Sequence, residues 1–335
     1  MLKLIFYFTS FSIIFIFDRI FYLEYLNTIE KYIWIAPFII FPLINCITYG
    51  MIVFFRKYKN EIHHMHLLLL GLFDVCYDLI YTISVPKISL VSNTVVSKIS
   101  YFVIMISSFY FMKRRYLCTH YIGIALCLTG ILLSLIKSSD NKENSFWYII
   151  LFLVGVILQS LSAVYKEYFI KNIKDLDIFI MIWHINMWEL VWCGIFFFTI
   201  FINDINPYKV SINNINEFLG EAFSCQFKEC HNSLLYLFLS QFFSMSMVFI
   251  NFRIIKEYSS MAGDLLITVN GPIFLFAMYF LIKYDKVSIN DKEKYELNIV
   301  SYISLILTFI GSIVYLVKKE YTYKDEEKLI TISLL

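Results

Sequence analysis

The chain has 335 residues, 59% of them hydrophobic and only 16% charged, with a mean hydropathy of +0.70. An ordinary globular domain is about 45–50% apolar and about 25% charged, so this much apolar surface needs lipid as its solvent. That excludes a cytosolic enzyme, a nucleic-acid binder, a disordered tail and a disulfide-rich secreted module; the net charge of +2 says little until the charges are placed.

A hydrocarbon core about 30 Å thick takes roughly 20 apolar residues per helix. Ten runs meet that length: Leu2–Leu26, Tyr32–Phe55, His66–Ser84, Ser89–Met112, Leu117–Ile136, Phe146–Ile170, Ile178–Ile202, Ser233–Ile255, Ser260–Lys283 and Leu297–Val317. They predict an all-α integral membrane protein of ten transmembrane helices; barrel strands of about ten alternating residues do not match such continuous runs. The first run is too long for a signal peptide and lacks a small-residue cleavage site, so it reads as a true span. With both termini cytosolic, the cytosolic segments hold 16 Lys and Arg against 10 on the other side, the expected sign of the positive-inside bias. The ninth loop, with Lys283, Lys286, Lys292 and Lys294, runs against it.

The fifth and tenth runs share a pattern: Tyr121 to Gly130 matches Tyr302 to Gly311, at an offset of 181 residues. Each half then holds five spans, an odd number, so the halves enter the membrane in opposite senses. Such an inverted repeat lets a central cavity open to either side, the architecture of a transporter. The division predicted is 1–137 for the first half, 138–145 for a linker and 146–318 for the second half with its loop 203–232. Residues 319–335 form a cytosolic tail.

Ionisable groups within spans cost at least about 2.5–3.5 kcal/mol and usually face a cavity or a partner. Asp74 and Asp78 lie four apart on one face of the third span and resist ionising together, as a proton-accepting or cation-binding site requires. Either could instead neutralise Lys98 on the fourth span. Glu189 follows a polar-aromatic stretch with Trp183, His184, Asn186 and Trp188, although Trp183 could equally be an interfacial anchor. Asp264 and Asn270 share the ninth span, with Asp264 close enough to its start to sit at the interface. Asp18 and Arg19 could cancel one another within the first. Gly271-Pro272 breaks the ninth helix, either as a gating kink or as a bend in a static helix.

Of seven cysteines, Cys225 and Cys230 alone lie in the long seventh loop, where a short disulfide in an oxidising compartment would staple it. His63, His64 and His66 read as a polar loop and not as a metal site. No phosphate-cradling loop, HExxH, GxSxG or N-glycosylation sequon is present, so neither a cofactor nor enzymatic chemistry is expected.

Three segments carry a resemblance: Ser162 to Asn172 with Lys166 and Glu167, the cysteine-bearing loop, and Tyr258 to Pro272 with Asn270-Gly271-Pro272. Together with Leu72 to Cys76 on the third span, they resemble the chloroquine-resistance-transporter-like family of the drug/metabolite transporter superfamily. The resemblance implies ten helices in a 5+5 inverted repeat, cytosolic termini, a central cavity, and spans five and ten packed together. It also implies proton-coupled export of amino acids, short peptides and cationic drugs from an acidic digestive vacuole, or thiol transport as in plant relatives. Asp74 and Glu167 match acidic positions of the family, Asn270 stands where Gln is usual, and Cys225 and Cys230 match part of its loop cysteine set. Lys98, Glu189, Asp78, Asp264 and Arg19 depart from it and alter the charge of the cavity. The expectation is a secondary transporter for cationic or zwitterionic solutes, with protons and lipid as its other partners. The alternatives are an organic-anion, thiol or nucleotide-sugar carrier using Lys98 and Arg19, and, outside transport, a channel or receptor-like membrane protein.

Overall fold

The structure is a computed structural model describing residues 2–29, 36–55, 64–84, 87, 96–97, 99–135, 146–173, 176–201, 210, 213–230, 232–267, 270, 273, 299–316 and 321–322. Nearly all of them are helical. The helices are α1 (Leu2–Ile29), α2 (Phe41–Phe55, entered through a π-helical turn at Ala36–Ile40), α3 (His64–Ser84), α4 (Ser100–Met112), α5 (Cys118–Leu135) and α6 (Phe146–Asn172). After these come α7 (Ile178–Phe196), α8 (Ser233–Glu257), α9 (helical at 260–267) and α10 (Ile299–Leu316). Phe38–Phe55, α3, α6, Ile178–Thr199 and α8 are long and apolar enough to cross a membrane, while Ser100–Met112 and Cys118–Gly130 are shorter apolar helices.

Hydroxyl groups in these apolar helices are silenced by their own backbone. Ser12, Thr28, Ser160 and Ser246 each donate to the carbonyl four residues earlier, at 2.7–2.8 Å. A lipid solvent offers no other acceptor, so the helix supplies one. Large apolar side chains point outward on several helices: Phe54 and Phe55 are 80% and 81% exposed.

The chain forms two compact units that cut across the sequence halves. Unit 1 comprises residues 1–79 and 173–253, and unit 2 comprises 80–172 and 254–335. In unit 1, α2 packs on α7 and α3 runs beside α7. The α3–α7 contacts advance together, from His64 with His184 through Gly71 with Trp188, so these two helices are parallel. Gly71 permits the approach, since a Cβ there would lie 2.9 Å from Trp188 Cβ and 3.0 Å from Glu189 N. Trp192 Nε1 closes the seam by donating to Leu68 O at 3.1 Å.

In unit 2, α4 packs on α6 and α5 packs on α10. The α5–α10 contacts run in opposite senses: His120 meets Tyr315, while Cys127 meets Gly311 and Ser312, so this pair is antiparallel. At the crossing, a Cβ on Gly123 would stand 2.7 Å from both Gly311 O and Tyr315 N. A Cβ on Gly311 would stand 2.6 Å from Gly123 O and 2.7 Å from Cys127 N. Exchanging Gly123 with Gly311 and Cys127 with Tyr315 maps one environment onto the other, which is a local two-fold. Both pairs are 188 residues apart. The expected packing of the fifth and tenth spans is therefore present, but in a register seven residues from the sequence match. Seven residues are about two helical turns, and an apolar helix slid by that distance presents nearly the same face.

The long loop after α7 is partly ordered. A short helix, Ile215–Ser224, runs into a π-helical turn at Cys225–Glu229. In unit 2, Arg114–Arg115 (β1) pairs antiparallel with Tyr321–Thr322 (β2), in the register Arg114 to Thr322.

Candidate functional site

Three of the predicted acidic residues belong to unit 1. Asp74 and Asp78 lie on α3, half-buried and exposed respectively, and Glu189 is half-buried on α7. Gly71 lets α3 lie against the Glu189 backbone, and Asp74 and Asp78 follow on α3 about one and two turns beyond that contact. Asp78 and Glu189 both act electrostatically on the buried Cys193, one turn beyond Glu189 on α7. Glu189 also acts on Tyr49 of α2, whose hydroxyl donates to Met245 O of α8 at 3.0 Å. The result is carboxylates from two helices around a thiol and a phenol, with Asp74 a turn earlier on α3. Asp177 Oδ1 caps α7 by accepting from Phe179 N at 2.9 Å, which fixes where that helix begins.

The other predicted positions fall elsewhere. Arg19 is exposed on α1 with its guanidinium 5.2 Å above the Phe15 ring, while its neighbour Asp18 is buried at 6% exposure. Adjacent helical residues point about 100° apart, so the pair divides between an inner and an outer face. Asn270 is fully buried in unit 2, its Nδ2 donating to Leu266 O at 2.7 Å. Asp264, also in unit 2, accepts from Ser100 Oγ at 2.9 Å, which ties α9 to the start of α4. Lys98, Gly271 and Pro272 lie outside the described residues. An apolar groove of about 550 Å³ between α4 and α5 has walls that include Phe102, Phe109 and Tyr121 and none of the predicted site residues.

Glu167 proves to be the polar centre of unit 2. It is fully buried and receives Arg114 through both guanidinium nitrogens, Lys171 Nζ, and Ser260 through both N and Oγ at 2.9 and 2.8 Å. Lys171 also donates to Tyr258 O at 2.6 Å, and Ser259 Oγ accepts from Ala262 N at 3.1 Å. One carboxylate thus joins the end of α6, the strand after α4 and the start of α9. Lys166, its neighbour in sequence, is half-buried. The sequence reading found Glu167 but missed Arg114 and Ser260 as its partners. Their signals were a basic run directly after the fourth span and a Ser-Ser pair directly before the ninth.

The disulfide between Cys225 and Cys230 is formed, with the Cα atoms 4.7 Å apart. Cys225 packs with Tyr25, Ile29 and Leu237, and Tyr25 Oη donates to Gln226 Oε1 at 2.8 Å. The loop is therefore fastened to the ends of α1, α2 and α8.

These features define a polytopic α-helical membrane protein whose interior polar groups are organised within each unit. The chain belongs to the chloroquine-resistance-transporter-like family, whose model matches residues 4–229. It is 30% identical over 130 residues to Crt homolog 1 of Dictyostelium discoideum, covering 36% of this chain and 26% of the relative. It is 33% identical over 95 residues to Crt homolog 3 of the same organism, covering 28% of this chain and 19% of that one. The matched regions thus span about a quarter or less of those relatives. A solved crystal structure superposes with a TM-score of 0.54 at 11% identity, over 92% of this chain and 97% of the other, which is a likeness of fold alone.

Proposed function

We propose that the protein is a proton-coupled secondary transporter, not an enzyme, that exports small cationic or zwitterionic solutes from an acidic vacuole to the cytosol by alternating access. The observation that carries this reading is the acidic seam that α3 and α7 share: Gly71 rests on the Glu189 backbone, and Asp74 and Asp78 follow on α3. Carboxylates contributed by two helices to one polar seam can exchange a proton for a cationic solute, because like charges in such a seam oppose joint ionisation. Asp74 extends the acidic face one turn along α3.

Ten alternating crossings in a 5+5 inverted repeat agree with the helix directions. The third and seventh helices of such a chain are parallel and the fifth and tenth antiparallel, and the local two-fold at Gly123 and Gly311 is the symmetry the repeat demands. Cytosolic termini agree with the basic end of unit 2, where Arg114 and Arg115 pair with the strand after α10 and Lys171 joins Arg114 on Glu167.

The test is uptake into proteoliposomes at imposed pH gradients, with labelled arginine, glutathione and a cationic quinoline in parallel. Arginine or quinoline flux should follow the proton gradient, and Asp78→Asn or Glu189→Gln should reduce it by a factor of about 10² or more while Asp74→Asn reduces it less. If pH dependence survives in all three variants, the coupling role is withdrawn. If glutathione alone moves, the carrier is one for thiols or organic anions, and Lys98 and Arg19 become the residues to substitute.

A further inference from the structure

Unit 1 contains a second polar layer that the coupling carboxylates do not use. On α2, Phe41, Asn45 and Tyr49 are spaced by four and share a face, as do Leu237, Gln241 and Met245 on α8. The outer members of the two rows meet. Phe41 joins Leu237 in the cluster around Tyr25, and Tyr49 Oη reaches Met245 O. The middle members, Asn45 and Gln241, therefore stand at one level of the α2–α8 seam. Asn45 Oδ1 and Gln241 Oε1 are both buried and have no hydrogen-bond partner among the described residues, and Gln241 as a whole is 5% exposed.

The first helix brings a charge to the same level. Tyr22 and Tyr25 pack on Phe41, with ring centroids 5.9 and 5.7 Å apart, and Phe17 and Phe21 both stack on Phe243 of α8. α1 runs against α2, so one turn back from Tyr22 corresponds to one turn forward from Phe41. That turn places Asp18 level with Asn45. The register thus gathers a buried carboxylate and two buried amide oxygens, all acceptors, in one layer of an apolar bundle.

An orphaned buried acceptor costs about 1–3 kcal/mol, and such an arrangement persists when a donor completes it. We infer that Asp18, Asn45 and Gln241 form a seat for a small singly charged cation. Three oxygens match the three N–H bonds of a primary ammonium group, and they equally make a hard-oxygen set for sodium. This inference rests on the transport reading for its role, as the place where a cationic solute is held one turn from Tyr49. The seat itself stands on the packing of α1, α2 and α8. The cluster of Tyr25, Phe41 and Leu237 covers it on the side of the disulfide loop.

The experiment is thermal unfolding of the purified full-length protein in detergent, without a pH gradient, titrated with methylammonium, sodium or tetramethylammonium chloride. Methylammonium or sodium should raise the unfolding temperature and tetramethylammonium, which has no N–H bond and is too bulky, should not. Whichever of the two acts alone names the occupant. Asp18→Asn should weaken the effect by about tenfold to a hundredfold, the worth of a charged hydrogen bond. Gln241→Leu should weaken it as well, yet stabilise the cation-free protein by removing an unpaired oxygen, an outcome that a purely structural glutamine would reverse. The titration reads binding alone, without transport or a pH gradient, which separates failure of this seat from failure of the coupling reading. Equal responses to all three salts, or an unchanged titration in Asp18→Asn, would overturn the seat.

Discussion

Each compact unit buries a carboxylate, and the two are treated in opposite ways. Glu167 in unit 2 has donors on both oxygens: a bidentate arginine, a lysine and the backbone and hydroxyl of Ser260. Asp18 in unit 1 shares its level with two amide oxygens that have no donor among the described residues. A charge whose lone pairs are taken can bind nothing further and holds helices together. A charge among acceptors invites a cation. In a bundle where lipid supplies no hydrogen bonds, that difference separates architecture from site more sharply than burial does.

The largest effect should come from breaking the saturated side. Glu167→Ala takes the shared carboxylate away from Arg114 and Lys171, and removing one partner of a buried pair costs about 3–5 kcal/mol. We expect little folded protein in detergent, read as loss of the monodisperse peak in size-exclusion chromatography. Glu189→Gln, by contrast, should elute like the wild type and lose coupled transport. If Glu167→Ala folds normally, the hub is not structural and the contrast between the units collapses.

Next come the crossing glycines. Gly123→Ala and Gly311→Ala each put a methyl group within 2.6–2.7 Å of the facing backbone. Overpacking typically costs about 1–3 kcal/mol, and backbone cannot step aside as a side chain can. Because the two environments are related by a two-fold, the single variants should lower the unfolding temperature by similar amounts. Unequal losses would show that the symmetry stops at the backbone.

How much of this was legible in the residues depends on the length scale of the signal. The apolar helices and the membrane solvent follow from runs of about 20 apolar residues, and these are local. Asp78 and Glu189 were visible because a carboxylate within such a run is costly wherever it points. The α5–α10 register was misplaced because apolar helices lack landmarks, so a slip of two turns goes unpunished in sequence. The Glu167 hub joins residues 53 and 93 positions apart, and no spacing rule reaches that far. Asn45 and Gln241 escaped notice for another reason: an amide in a span looks innocuous until its oxygen is seen to lack a donor.

The disulfide belongs to the middle of the scale. Cys225→Ser with Cys230→Ser opens a loop with a sequence separation of only 5, which by chain entropy contributes about 2 kcal/mol. The greater consequence should be local. Gln226 loses its hold on Tyr25, so amide exchange at the end of α1 should quicken while exchange around Glu167 in unit 2 stays as it was. Uniform acceleration across both units would mean that the loop holds up the whole bundle.

The smallest prediction has the opposite sign and tests whether unit 1 is sensitive only where its helices touch. Gly71 and Gly194 are both helical glycines of that unit, but a Cβ on Gly71 meets Trp188 at 2.9 Å and one on Gly194 meets nothing within 4 Å. Glycine within a helix is worth about 0.5–1 kcal/mol less than alanine, because the unfolded chain has more freedom to lose. Gly194→Ala should therefore raise the unfolding temperature by about 1–2 °C for a chain of this size, with transport unchanged, whereas Gly71→Ala should lower it by prising α3 from α7. Such a separation would also disturb the acidic seam of Asp74, Asp78 and Glu189, so Gly71→Ala should lose coupled transport even under conditions where it remains folded. A stabilising Gly71→Ala that transports normally would mean that the α3–α7 contact does not set the geometry of that seam.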